Sequence, residues 1–137
     1  MQRRPFLIAG ALAPLAPLAG LVPLSAHAAA TVGQPAPDFT LMDTAGKPVK
    51  LSDFKGRPVV LEWTNPGCPF VKKHYQGNMQ SLQKDAAGKN IAWLAINSTA
   101  ESSPDYLAPA RLGQWMAEQT AAPTATLMDE SGKTGEA

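Results

Sequence analysis

A short apolar stretch that leads into a turn and the only cysteine constrains the fold of this 137-residue chain more than any other feature. Residues Val59–Trp63 are apolar but for one glutamate, as expected of a strand covered on both faces of a sheet. Pro66 and Gly67 then favour a turn, and Cys68 stands directly before Pro69, which suits the first position of a helix. The sequence therefore predicts a strand, a turn and a helix, with the cysteine at the start of the helix.

Cys68 is expected to be reactive at that position. Free backbone N–H groups at a helix start favour negative charge, so a thiol placed there ionises more readily, and the thiolate is the nucleophilic form. A dithiol oxidoreductase has its second cysteine three residues further on, where this chain has Val71. We therefore expect a site with one thiol. The alternative is a small buried residue without reactivity, as free cysteines often are.

Neighbouring residues are candidates for shaping this site. Lys72 follows Cys68 by four residues on the same helical face and could stabilise a thiolate, or it could be a solvated lysine beside Lys73. His74 lies about 240° around the helix from Cys68, so we expect no Cys–His pair. Trp63 could line a substrate groove or lie in the core. The residues expected to shape the site are Trp63, Thr64, Pro66, Gly67 and Pro69.

The first 28 residues are typical of an export signal. Arg3 and Arg4 precede an uncharged apolar stretch at residues 6–24, and residues 26–28 (Ala-His-Ala) form a small-x-small cleavage site. The same start resembles a twin-arginine signal, and the route of export stays open. The prolines and glycines of the stretch disfavour the alternative, a transmembrane anchor. We expect cleavage, a periplasmic location in a bacterium and no stable membrane insertion afterwards.

Residues 29–137 would then form one small domain. Hydrophobic periodicity predicts strands at residues 39–42, 49–51, 59–63, 91–97 and 124–128. It predicts one helix that starts at residue 69 and stops at 88–90, and a second helix at 109–119. A hairpin-type turn is predicted at 129–133. The first helix has an apolar stripe of Val71, Tyr75, Met79, Leu82 and Ala86, with Gly77 as its weak point. The aromatic residues expected in the core are Phe39, Phe54, Trp93 and Trp115.

This order of elements predicts an α/β domain with an N-terminal β-hairpin and a helix-covered, largely parallel sheet. The chain stops soon after the last strand, without a closing strand or helix. We therefore expect a domain that is incomplete at its C-terminus, and such a piece could bury too little surface to fold stably.

Composition argues against several functional classes. The net charge is +1 and no basic stripe with interleaved aromatic residues is present, so we expect no nucleic-acid partner. One cysteine and two histidines, of which His27 would leave with the signal, cannot supply the two cysteines and one histidine of a copper-delivery site. There is no glycine-rich phosphate loop after a strand. We expect neither a metal nor an organic cofactor.

Several segments together carry a family resemblance: PAPDF at residues 35–39, KGRPVVLEW before the turn, NIAWLAINST at 90–99 and APTATLMDESGK at 122–133. In this order they resemble the redoxin branch (AhpC/TSA, peroxiredoxin-like) of the thioredoxin-like superfamily. The resemblance implies a thioredoxin-like fold, with a central mixed sheet flanked by helices. It also implies that Cys68 is the nucleophilic cysteine.

The chain departs from the motifs of this branch at defined positions. Val71 replaces the second cysteine of the thioredoxin motif, and Leu61 and Asn65 stand where peroxiredoxins have proline and threonine or serine. Thr64 lies one place away from that hydroxyl position. The cis-proline loop of the superfamily and the arginine of peroxiredoxins would both lie downstream of residue 137.

The leading hypothesis is an exported thiol-based redox protein. The Cys68 thiolate would attack a peroxide or a disulfide, and an external thiol, from a small molecule or a thioredoxin-like protein, would resolve the product. The rival hypothesis is a thioredoxin-fold binding module that has lost its dithiol chemistry. Reactivity of Cys68 distinguishes the two.

Overall fold

The computed structural model describes residues 30–137, and the predicted export signal at residues 1–28 lies outside this range. The strands are β1 (Thr40–Asp43), β2 (Pro48–Lys50), β3 (Val59–Trp63), β4 (Ala92–Asn97) and β5 (Ala125–Met128). The helices are α1 (Pro69–His74), α2 (Asn78–Gly88), α3 (Pro109–Glu118) and α4 (Lys133–Glu136), with a 3₁₀ turn at Leu51–Phe54. No helix within residues 30–137 is long and apolar enough to cross a membrane.

The five strands form one mixed sheet in the order β2-β1-β5-β4-β3. β3, β4 and β5 run parallel, whereas β1 is antiparallel to both β2 and β5. The predicted α/β class, the N-terminal hairpin and the mixed sheet are thereby confirmed. β3, which leads to the cysteine, lies at the edge of the described sheet and pairs with β4 from Val59 opposite Ala92 to Trp63 opposite Ile96.

β4 is the centre of the core, because all six of its residues are buried. Leu94 and Ile96 pack with Leu127 on one face of the sheet, where Phe39 and Phe54 also pack. The opposite face carries Ala95, because successive side chains of a strand alternate.

On that opposite face the helices supply the packing partners of Ala95. Tyr75 and Met116 pack against it, together with Val71 and Trp115. Trp93 is buried as well. The four aromatic residues predicted for the core therefore lie in it or against it.

The prediction of one continuous helix after the cysteine is wrong. Gly77 adopts φ +117°, a left-handed conformation that glycine tolerates, and it separates α1 from α2. The break changes the helical phase, so Leu82 is 45% exposed and Gln80 and Gln83 are buried instead. Tyr75 and Ala86 are buried as expected.

The buried glutamines satisfy polar groups at this break. The side-chain amide of Gln80 donates to the carbonyls of Tyr75 (2.6 Å) and Gln119 (2.8 Å), and its oxygen accepts from the N–H of Gly77 (3.1 Å). The Gln83 oxygen accepts from the N–H of Ala122 (2.8 Å). These bonds stabilise the two-helix arrangement, because buried polar groups are costly when left unpaired.

The hairpin-type turn predicted at residues 129–133 leads into a helix. The buried Asp129 carboxylate accepts hydrogen bonds from the hydroxyl of Ser98 (2.7 Å) and from the N–H groups of Thr134 (3.3 Å) and Gly135 (3.1 Å). A carboxylate that pairs with N–H groups at a helix start favours the helix over a second strand. Gly135 also lies so close to Trp63 that a β-carbon there would be 3.2 Å from the indole nitrogen.

Candidate active site

The turn after β3 is fixed to the end of β4. The N–H of Thr64 donates to the Ile96 carbonyl (2.9 Å), which extends the strand pairing by one residue. The side chain of Asn97, only 1% exposed, donates to the Thr64 carbonyl (3.0 Å) and accepts from the N–H of Thr99 (3.1 Å). The base of the turn is therefore held by buried hydrogen bonds from a neighbouring strand.

Within the turn, Asn65 organises the approach to the cysteine. Its side-chain oxygen accepts from the N–H of Gly67 (2.7 Å), and its carbonyl accepts from the N–H of Cys68 (2.9 Å). Asparagine commonly closes turns in this way. Pro66 is buried in the middle of the turn. The predicted turn residues are thus brought together immediately before Cys68.

Cys68 caps the N-terminus of α1 with an extended backbone, and Pro69 is the first helical residue, as predicted. The Cys68 carbonyl accepts from the N–H of Lys72 (3.0 Å). The side chain is partly exposed and forms no capping hydrogen bond within the described part of the chain. A free, accessible thiol at the end of a turn is sterically open to attack on a small electrophile.

The charged residues of α1 lie on its outer side. Lys72 is exposed and one helical turn beyond Cys68, and it forms no salt bridge with any described residue. The ring nitrogen Nδ1 of His74 lies 3.3 Å from the side-chain amide of Asn78. Stabilisation of the thiolate by Lys72 stays a prediction.

Trp63 and Thr64 differ in their exposure. Trp63 is 47% exposed, so it lies at the surface next to the turn and is not a core residue. Thr64 is 4% exposed, and its hydroxyl has no hydrogen-bond partner among residues 30–137. Phe70, which the sequence analysis did not single out, is 73% exposed two residues after the cysteine.

Sequence reasoning missed a carboxylate network beneath the first helix. Glu62 of β3 accepts hydrogen bonds from the hydroxyl of Tyr75 (2.7 Å), the indole N–H of Trp93 (2.6 Å) and the amide of Gln83 (3.3 Å). Burial raises the pKa of Tyr75 well above its ordinary value, and the hydrogen bond to Glu62 and its negative charge add to the shift. The sequence carries one local sign of this network, the single glutamate in the otherwise apolar strand β3.

A second missed residue is Asp105, in the loop between β4 and α3. Its side chain lies against Gly67, so that a β-carbon on Gly67 would be 2.4 Å from the carboxyl carbon. No local feature of the sequence around Asp105 predicts a contact with a turn 38 residues away. Within residues 30–137 there is no group of three or more metal-binding side chains.

Comparison with known proteins gives the family. The AhpC/TSA family profile matches residues 32–137, nearly the whole described part of the chain. This chain belongs to the AhpC/TSA family. The resemblance drawn from the sequence motifs is thereby confirmed.

Relatives of this AhpC/TSA protein include peroxiredoxins. It is 34% identical over 87 residues to the chloroplastic peroxiredoxin Q of Sedum lineare, which covers 61% of this chain and 46% of the relative. The chain therefore spans less than half the length of that relative.

Solved structures agree with the thioredoxin-like fold. A hypothetical protein of Sinorhizobium meliloti 1021 matches with a TM-score of 0.68 and 27% identity, over 79% of this chain and 58% of that chain. The exposed lipoprotein thioredoxin of Streptococcus pneumoniae matches with a TM-score of 0.55 and 27% identity, over 71% of this chain and 69% of that chain. The AhpC/TSA protein thus has a thioredoxin-like fold.

Proposed function

We propose that this AhpC/TSA-family protein is a thiol-based redox protein in which Cys68 alone reacts with a peroxide or a disulfide. The observation that carries the proposal is the placement of Cys68. Cys68 follows a turn held by Asn65 and Asn97 and caps the N-terminus of α1, and this partly exposed residue has no capping hydrogen bond from its side chain within the described residues. Such a thiol is positioned by its surroundings and accessible to a substrate.

With a peroxide, the Cys68 thiolate attacks one peroxide oxygen. The O–O bond breaks, the sulfur is oxidised to a sulfenic acid, and the leaving oxygen takes up a proton and departs as water or an alcohol. With a disulfide, the thiolate attacks one sulfur, a mixed disulfide forms, and the other sulfur leaves as a thiolate. Neither step requires a metal or an organic cofactor.

We propose that resolution uses a thiol from outside these 137 residues, because Cys68 is their only cysteine. Val71, at the position of the second cysteine in dithiol proteins, packs against the core with Tyr75 and Ala95. An external thiol condenses with the sulfenic acid and releases water. A second external thiol then displaces the mixed disulfide, so that Cys68 is reduced and the external pair is oxidised.

Nearby side chains have supporting roles in this proposal. Lys72 increases the thiolate fraction through its positive charge, and Gly67 and Pro69 keep the turn compact before the helix. The substrate, the reductant and the activity of the whole protein are part of the proposal, because the chain covers 46% of its peroxiredoxin Q relative. The sequence of residues 1–28 supports export to the periplasm.

Intact-mass spectrometry of the purified chain tests the proposal. One equivalent of hydrogen peroxide should add one oxygen, a small thiol should convert that product to a mixed disulfide, and excess thiol should restore the starting mass. Hydroxyethyl disulfide should give the mixed disulfide directly. Cys68→Ser should show none of these changes. An unmodified Cys68 in the folded chain would instead favour the binding-module alternative.

A further inference from the structure

A carboxylate that is unpaired among residues 30–137 lies beside the turn that carries the thiol. Asp105 contacts the backbone of Gly67 from the side, and a β-carbon at Gly67 would be 2.6 Å from its oxygen Oδ1 and 2.8 Å from its β-carbon. Gly67 and Cys68 are consecutive, and successive α-carbons are 3.8 Å apart. The carboxyl carbon of Asp105 therefore lies within about 8 Å of the Cys68 α-carbon.

The loop that presents Asp105 is held by its own hydrogen bonds. The N–H of Asp105 donates to the hydroxyl of Ser103 (3.3 Å), and the N–H of Tyr106 donates to the Ser103 carbonyl (3.1 Å). The loop begins next to Thr99, which is buried and bonded to Asn97. The carboxylate is exposed and forms neither a hydrogen bond nor an ion pair with any residue that the structure describes. Its charge is therefore available to an approaching substrate.

We propose that Asp105 sets the charge preference of the Cys68 site, disfavouring anionic disulfides and thiols relative to neutral and cationic ones. The inference rests on the proposed redox function and names the class of substrate. The bound of about 8 Å is to the Cys68 α-carbon. A substrate charge held at about that distance from the carboxylate would interact with it by roughly 0.5 kcal/mol in water and by more near a protein surface. This separation is also below the screening length of about 10 Å at 0.1 M ionic strength.

The lysines of α1 favour the opposite charge preference, for anionic substrates. Lys72 and Lys73 are exposed on α1, the helix that Cys68 caps, and alone they would attract anions to the thiol. On the side of the site next to Gly67, the negative charge of Asp105 offsets this attraction of anions. A substrate of mixed charge would therefore bind with its positive group near Asp105.

A set of disulfides of different charge tests the inference. The rates of mixed-disulfide formation at Cys68 are measured with cystamine (cationic), hydroxyethyl disulfide (neutral) and dithiodiglycolate (anionic) at low ionic strength. Asp105→Asn should slow the cationic disulfide by roughly two-fold and speed the anionic one by roughly two-fold. The ratio of the cationic to the anionic rate should therefore fall by about four-fold or more. The rate with the neutral disulfide is the reference, because any effect of the substitution on Cys68 itself changes all three rates alike and cancels in the ratio.

The matched control is Glu118→Gln, which removes one negative charge at the far end of α3, about 13 Å along the helix from its first residue. It should leave the ratio unchanged. Asp105→Ser provides a second variant should Asp105→Asn fold poorly. An unchanged ratio in the Asp105 variants, or an equal change in Glu118→Gln, overturns the inference. If the wild-type chain fails to react with the neutral disulfide, that result overturns the proposed function itself. It is distinct from the outcomes that test the role of Asp105.

Discussion

The buried amide of Asn97 on β4 holds the carbonyl of Thr64, 3.0 Å away, at the base of the turn that presents Cys68. The same side chain accepts a hydrogen bond from Thr99 at the start of the Asp105 loop. One buried residue therefore positions both the turn that carries the thiol and the loop that lies over it.

Substitution of this residue should reduce both stability and thiol reactivity. Asn97→Ala leaves the Thr64 carbonyl and the Thr99 N–H without their partner, which should lower the free energy of unfolding by roughly 1–3 kcal/mol. Urea denaturation measures that loss, and the alkylation rate of Cys68 should fall in the variant that remains folded. Unchanged stability would show that these bonds do not hold the turn.

The contact between Gly67 and Asp105 predicts an energetic coupling. Gly67→Ala should destabilise the protein by roughly 1–3 kcal/mol, because the new β-carbon overlaps Asp105. In an Asp105→Gly background the same change should cost less, since both the carboxyl group and the β-carbon 2.8 Å from the new atom are gone. A double-mutant cycle by urea denaturation measures the difference. Equal costs in the two backgrounds would contradict the contact.

The break between α1 and α2 depends on Gly77. An alanine at φ +117° is strained, so Gly77→Ala should lower stability by about 1–3 kcal/mol or force the two helices to rejoin. Gly88→Ala, at the last residue of α2, is the control, because its β-carbon meets no atom within 4 Å and its φ is not left-handed. The control should be neutral or slightly stabilising. Thermal unfolding and far-UV circular dichroism distinguish the two variants.

Stability should decrease at alkaline pH because of Tyr75. Its folded-state pKa is raised by burial and by Glu62, whereas a tyrosine in the unfolded chain ionises near pH 10. Above about pH 10 the unfolded state therefore binds fewer protons than the folded state, and the free energy of unfolding falls as pH rises. Below about pH 10 the contribution of Tyr75 to the free energy of unfolding is fully present.

Urea denaturation between pH 8 and pH 11 measures this dependence. Tyr75→Phe should flatten the alkaline decline more than Tyr106→Phe does, since burial also raises the pKa of Tyr106 but its hydroxyl forms no hydrogen bond to a carboxylate among the described residues. An equal effect of the two substitutions would show that the Glu62 network does not hold the Tyr75 proton.

Local signals explain why the core of the site could be predicted from the sequence. The apolar run of β3, the Pro66–Gly67 turn and Pro69 at the helix start are each readable within a few residues, and together they place Cys68. The fold class followed from the order of such segments. Gly77 was identified as a weak point, but its conversion into a break depends on the buried amides of Gln80 and Gln83.

The missed features depend on contacts between distant segments. Asp105 reaches Gly67 across 38 residues, and the partners of Glu62 come from different elements of the fold. No periodicity or short motif encodes such pairs. The lone glutamate of β3 was the one local sign, because a charge in an apolar strand must find partners on folding.

The rate of Cys68 alkylation by iodoacetamide between pH 5 and pH 8, in the folded chain and in urea, tests the central claim most directly. Cys68→Ser serves as the blank. The account predicts that the folded protein reacts faster than the unfolded chain at pH 6–7, because a redox cysteine must be more nucleophilic than an ordinary one and the turn leaves Cys68 partly exposed. A folded chain whose thiol reacts no faster than the unfolded one would contradict the assignment of Cys68 as a redox nucleophile.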